Sequence, residues 1–184
     1  MSNSAALGFL KEFSLGFLLV ATAINAAGGQ ENRPRLVRLF QLDGTFGTEV
    51  PAKVNSHDKT ETRGFTLIAA RLENDNLGFL SRLRSVLTVA NRDAKRTITG
   101  VEWRLDIYDR DLRSLSQSVV QTDKVNIYAG ETAAASARFG AVLPDRMIVL
   151  LQITKVSFAE GSAWLASEEC SLEDDLRAVS CKSR

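Results

Sequence analysis

Histidine is all but missing from this chain: His57 is the one imidazole in 184 residues. Imidazole is the commonest general base and metal ligand. His57 itself lies in the polar stretch Asn55-Ser56-His57-Asp58, which reads as solvated loop. Zinc needs three or four converging ligands, and a single histidine with two distant cysteines has no zinc spacing. Also missing are HExxH, GxSxG and a phosphate-cradling glycine loop with its lysine, so protease, hydrolase and kinase readings lose their usual support. A surplus of one charge is lacking too, since 23 basic residues face 22 acidic ones and the formal net charge is +1. Nucleic-acid binders gather excess Lys and Arg on one face. Here Arg82, Arg84, Arg92, Lys95 and Arg96 are scattered over strand and turn among acids, so no nucleic-acid partner is expected. Nothing in the sequence calls for a cofactor or a metal, and the chain reads as a non-enzyme.

The longest apolar run is also too short for a membrane span. Phe13 to Gly28 (FSLGFLLVATAINAAG) contains Asn25 and falls below the roughly 20 residues that a spanning helix needs. It ends in small residues before a polar stretch opens at Gln30, the pattern of an export signal, with cleavage expected after Ala26. One feature departs from that pattern: Lys11 is cancelled by Glu12, leaving the leader without net positive charge. The expected location is therefore periplasmic or secreted, with no membrane span after signal removal; an uncleaved N-terminal anchor is the alternative. Without residues 1–26 the chain is long enough for one domain with a sizeable core and too short for two.

From Arg35 onward the hydrophobic period is near two, and Pro and Gly fall at breaks. Thr97 to Asp109 is the clearest strand: Val101, Trp103, Leu105 and Ile107 face a core, while Glu102, Arg104, Asp106 and Tyr108 face water. Ile98 has the wrong parity for that core, which predicts a β-bulge near Gly100. Leu83 to Val89 alternates as well, and the turn residues Asn91 to Lys95 predict a hairpin between these two strands. Further strands are expected at Leu36–Leu42, Phe65–Leu72, Ser116–Thr122, Val125–Tyr128 and Ala133–Phe139. Met147 to Leu151, continuing through Ile153, Val156 and Phe158, reads as a central strand covered on both faces, and a last strand runs through Trp164 and Leu165. Asp43 to Gly64 is polar and reads as a loop or long hairpin. Short strands with frequent turn signals and no strand-helix alternation predict an all-β antiparallel sandwich.

Cys170 and Cys181 close the chain and, in an exported protein, are expected to form one disulfide. Between them, Ser171 with Asp174 resembles a helix N-cap box, and Leu172, Leu176 and Val179 follow helical spacing. A straight helix would hold the two Cα atoms about 16 Å apart, against about 7 Å for a disulfide. The tail is therefore expected to be a short helix with the chain folding back, or looped, or the thiols stay free.

Trp103-Arg104-Leu105-Asp106-Ile107-Tyr108-Asp109, with Val89-Ala90-Asn91 before it and Ile127-Tyr128-Ala129-Gly130-Glu131 after it, resembles the FxLYD-type group of immunoglobulin-like domains in exported bacterial proteins. Leu105 stands where that group has Phe, and Ile107 where it has Leu. The resemblance spans Leu83 to Trp164 and implies a small immunoglobulin-like sandwich without an activity to carry over. It gives Tyr108 and Asp109 structural work, the ring covering a sheet edge and the carboxylate capping the next turn. The expected organisation is a signal peptide at 1–26, N-terminal strands and polar loop at 27–80 that are part of the sandwich or lead into it, the sandwich core at 81–166, and a cysteine-flanked tail at 167–184.

The remaining candidates for chemistry are acids and aromatics. Asp106, Asp109 and Asp111 lack the central glycine and closing glutamate of a calcium loop, and read as strand-end acids paired with Arg104, Arg110 and Arg113. Glu168, Glu169, Glu173, Asp174 and Asp175 read as a solvated acidic tail. Trp103 is on the inward parity, which leaves Trp164 as the possible binding aromatic. The expected role is a protein-interaction or structural module of the cell envelope, using a sheet face or open edge strand to meet another envelope or extracellular protein. A carbohydrate-binding module with an exposed aromatic platform is the alternative, and an unrecognised enzyme the second one.

Overall fold

The computed structural model describes residues 36–56, 64–77, 80–115, 118–141, 144, 146–173 and 178–184. The leader, His57, and the acids Asp174 and Asp175 lie outside the described residues. Within them the chain is all-β, with twelve strands: β1 (Val37–Asp43), β2 (Gly47–Val50), β3 (Lys53–Asn55), β4 (Phe65–Leu77), β5 (Leu80–Asn91), β6 (Ile98–Tyr108), β7 (Val119–Ile127), β8 (Thr132–Ala141), β9 (Arg146–Phe158), β10 (Ala163–Leu165), β11 (Glu168–Leu172) and β12 (Ala178–Ser183). Arg33–Arg184 forms one compact unit.

The strands make three sheets. The central sheet runs β2-β1-β9-β6-β7, with β10 also on β9; the facing sheet is β4-β5-β8; the covering sheet is β11-β12-β3. Pairing is antiparallel except between β12 and β3. Alternation explains the stacking. On β9, Val149 and Leu151 point into the core shared with the facing sheet, while Ile148 and Leu150 point into a second core under the covering sheet. On β1, Phe40 and Leu42 serve the first core and Leu39 the second. A strand clothed on both faces has no polar parity to offer, which accounts for the unbroken apolar run of β9.

The main core lies between the central and facing sheets. Leu67, Leu72, Leu83, Leu87 and Val89 meet Val101, Trp103, Leu105 and Ile107 there. Trp103 is wholly buried, and its Nε1 donates to Ser85 Oγ at 2.9 Å and to Gln121 Oε1 at 2.8 Å. Ser85 in turn donates to Gln121. An indole buried without a partner for its N–H would be costly, and here its partners come from both sheets.

The β6 bulge falls where the parity of Ile98 requires it, between Ile98 and Gly100. A second register shift lies opposite Glu102/Trp103 on β9, and it explains why the inward residues of β9 pass from Ile153 to Val156, a step of odd length.

The expected hairpin between the Leu83–Val89 strand and the Trp103 strand is corrected. β5 pairs with β4 and β8, whereas β6 pairs with β7 and β9. The residues between them form an arch from one sheet to the other. Buried Asn91 holds it: its Nδ2 donates to Arg96 O at 2.7 Å and Ile127 O at 2.9 Å, and its Oδ1 accepts from Asp93 N. Turn residues alone do not distinguish an arch from a hairpin, because both need Asn and Asp bonding to nearby backbone. Of the expected segments 116–122 and 125–128, residues 116–117 lie outside the described ones, and the two are otherwise joined in one strand, β7. The polar stretch from Asp43 supplies the β1-β2 hairpin, and β3 beyond it joins the covering sheet.

In the C-terminal tail the expected disulfide is present, and the helical alternative is corrected. The tail's described residues are a strand pair, not a helix, and Cys170 stands opposite Cys181 in register with an S–S distance of 2.11 Å. The physical reason is the second core: Cys170, Leu172, Val179 and Cys181 present their alternate side chains to Leu39, Ile148 and Leu150. Burial at period two outweighs the short helical pattern between the cysteines.

Candidate functional site

Two polar faces look away from the main core, and they differ. The first is the outward side of β6 and β9. Arg104 and Asp106, expected in water, are only 6% and 8% exposed because the covering sheet lies over them. The side chains of this face hold the edge of β11 as a neighbouring strand would. Gln152 Nε2 donates to Glu168 O at 2.8 Å and its Oε1 accepts from Cys170 N at 3.2 Å. Arg104 Nη2 donates to Cys170 O at 2.6 Å, and Leu172 N donates to Tyr108 Oη at 3.4 Å. Arg104 also pairs with Asp106 at 3.0 Å and with Glu169, and Ser118 donates to Asp106. Burial pushes the Tyr108 hydroxyl above its ordinary value of 10.0, while the Leu172 N–H pulls the other way.

Where the covering sheet ends, a shallow cleft of about 360 Å³ remains, lined by Arg104, Asp106, Tyr108, Ser118, Glu169 and Lys182 among others. Its charges are largely spent on one another and on β11 backbone. The arrangement is that of a structural clamp. Among the described residues, no group of three or more His, Cys, Asp and Glu could hold a metal ion.

The second face is the outward side of β4-β5-β8. Cross-strand register puts Thr66 beside Ala90 and Thr132, Ala69 beside Thr88 and Ala134, and Arg71 beside Val86 and Ser136. The next row is Glu73, Arg84 and Arg138, and the one after it Asp75, Arg82 and Gly140. One half is thus small and uncharged, and the other carries four arginines. Glu73 binds Arg71 at 2.9 Å and Arg84 at 3.5 Å. Arg84 and Arg138 are direct cross-strand partners of like charge. The edges of this sheet are closed to strand addition at several points. β4 bulges between Leu67 and Ala69, its Glu73 bridges to Phe46, and Arg38 Nη2 binds Leu67 O at 3.3 Å. At β8, Asp123 accepts from Ser136 N at 2.8 Å. What stays open is the face itself.

Trp164 is half-buried and packs edge to face on Phe65, with ring centroids 5.0 Å apart. It is less a platform than part of the core wall. Trp103 is in the core, Asp109 caps its turn by accepting from Asp111 N and Arg113 N at 2.9 Å, and Tyr108 packs on the second core. In the arch, Lys95 N–H and then the Arg96 guanidinium hold the Asp93 carboxyl below its ordinary range. Arg71, Glu73 and Arg138 were not among the sequence candidates. Their signal was present as polar parity on strands, but which strands adjoin is a matter of pairing.

Among the described residues no helix is long and apolar enough to cross a membrane. No protein-family model matches the chain, and a search of curated proteins finds no match.

Proposed function

We propose that this chain is an exported, non-catalytic sandwich of the immunoglobulin-like class that serves as a protein-interaction module of the cell envelope. The observation that carries the reading is the uncovered outer face of β4-β5-β8, flat along Ala69, Ala134, Ser136 and Thr88 and bordered by arginines. Small side chains on a rigid sheet let a partner approach closely at little entropic cost. The buried Cys170–Cys181 pair supports an oxidising compartment, and Trp103 in the core between two sheets supports the immunoglobulin-like assignment. The polar groups under the covering sheet are engaged in holding β11, which weighs against an active site there.

Capture from envelope extracts tests the reading when wild type is compared with Ala134→Tyr, which raises a ring on the flat half of the face. Loss of a specifically captured protein at unchanged melting temperature supports it; capture indifferent to the ring overturns it. The leader has its own test. N-terminal sequencing of exported material is expected to start after Ala26, and an intact Met1 on a membrane-bound species overturns cleavage.

A further inference from the structure

We infer that the occupant of the β4-β5-β8 face is an extended acidic segment of a partner protein, its carboxylates spaced at every second residue. This rests on the interaction-module reading and adds the chemistry of the partner. A chain with formal net charge +1 places Arg71, Arg82, Arg84 and Arg138 on one half of one face, opposed there by Glu73, with Asp75 at the register position across from Arg82. Glu73 divides itself between Arg71 and Arg84, and no carboxylate among the described residues is paired with Arg138. Setting Arg84 directly across from Arg138 is unfavourable in the free protein, since like charges opposite each other destabilise a strand pair. An incoming carboxylate between them relieves that repulsion.

Geometry then narrows the occupant. Arg82 and Arg84 lie two residues apart on β5, about 7 Å along the strand, which is the repeat of alternate side chains on any extended chain. Arginine presents a planar fork that matches a carboxylate bidentately, where lysine would offer only a point charge. The intervening side chains of such a segment point away from the sheet, and the small residues of the flat half let its backbone run on close to the face. A lipid surface fits less well. Electrostatic membrane docking relies on clusters of about four to eight basic residues, and here Glu73 already neutralises part of a patch of four. Among the described side chains of β4, β5 and β8, Ile68 is the one large apolar residue exposed to enter a bilayer.

The test uses the full chain and a labelled (Glu-Thr)5 peptide, with phosphatidylglycerol vesicles as the second arm. Saturable peptide binding that weakens with salt, and about tenfold or more in Arg84→Ser/Arg138→Ser at unchanged melting temperature, is the expected result. A charge-swapped Arg84→Glu/Arg138→Glu chain is expected to lose this peptide and gain (Lys-Thr)5. No binding, binding unchanged in the serine variant, or binding of vesicles in place of peptide overturns the inference. If capture is lost in Ala134→Tyr while the peptide never binds, the face remains a docking surface and only its acidic occupant is refuted. If both fail, the module reading fails with it.

Discussion

Arg104 and Arg84 each occupy an outward position on a strand that is inner to its sheet, and they end in opposite situations. Arg104 is buried beneath a third layer, bonded to Asp106, Glu169 and the Cys170 carbonyl. Arg84 keeps a side chain 35% exposed, shares one glutamate and faces another arginine. Local sequence is alike in both strands, alternating apolar with charged or polar residues. The difference comes from a segment far along the chain, because β11 and β12 bring an apolar parity that needs a surface and find it on β1 and β9. One polar face becomes the means of holding a hairpin, and the other carries no such layer among the described residues.

The contrast breaks first at Arg104. Arg104→Ala leaves the buried Asp106 carboxylate and the Cys170 carbonyl without their cation, and a loss of about 3–5 kcal/mol in denaturant unfolding is expected. Arg84→Ala, the matched change on the open face, is expected to stay within about 0.5 kcal/mol. Comparable losses from the two would erase the distinction. Next comes the covering sheet itself. Cys170→Ala with Cys181→Ala is expected to lower stability by about 3 kcal/mol through the entropy of a short closed loop, and thermal unfolding of the two proteins measures it. Gln152→Leu removes both bonds to the β11 edge, Glu168 O and Cys170 N, at an expected cost of about 2 kcal/mol.

The smallest effect belongs to the arch that joins the two sheets. Asp93 has its folded pKa depressed below the ordinary 3.8, so its stabilisation is present above that value and fades as pH falls through the folded one. Acid titration of stability in Asp93→Asn is expected to show a shallower decline at low pH than wild type. An identical acid limb would place the decline on other groups.

Much of the strand layout was legible because period two is a local property. The parity of Val101, Trp103, Leu105 and Ile107, the bulge by Gly100, and the doubly covered β9 all follow from residues within one segment. Pairing was not legible. The turn chemistry of Asn91 and Asp93 suits an arch as well as a hairpin, and only the facing cores of β5 and β6 decide it. The tail misled for a related reason. Leu172, Leu176 and Val179 satisfy a helical period, yet Cys170, Leu172, Val179 and Cys181 have a hydrophobic surface to meet, and tertiary burial outweighs propensity. The wet reading of Arg104 and Asp106 failed with it, since the layer that covers them is that same tail. The arginine patch on β4-β5-β8 needed three strands side by side before its charges could be summed.

The division between a clamped face and an open one is tested most directly by an NMR titration of arginine Nε–Hε signals with (Glu-Thr)5. We expect the signals of Arg82, Arg84 and Arg138 to move together and saturate while that of Arg104 stays fixed. Movement of the Arg104 signal, or a uniform drift of every exposed arginine with no set apart, would contradict the account.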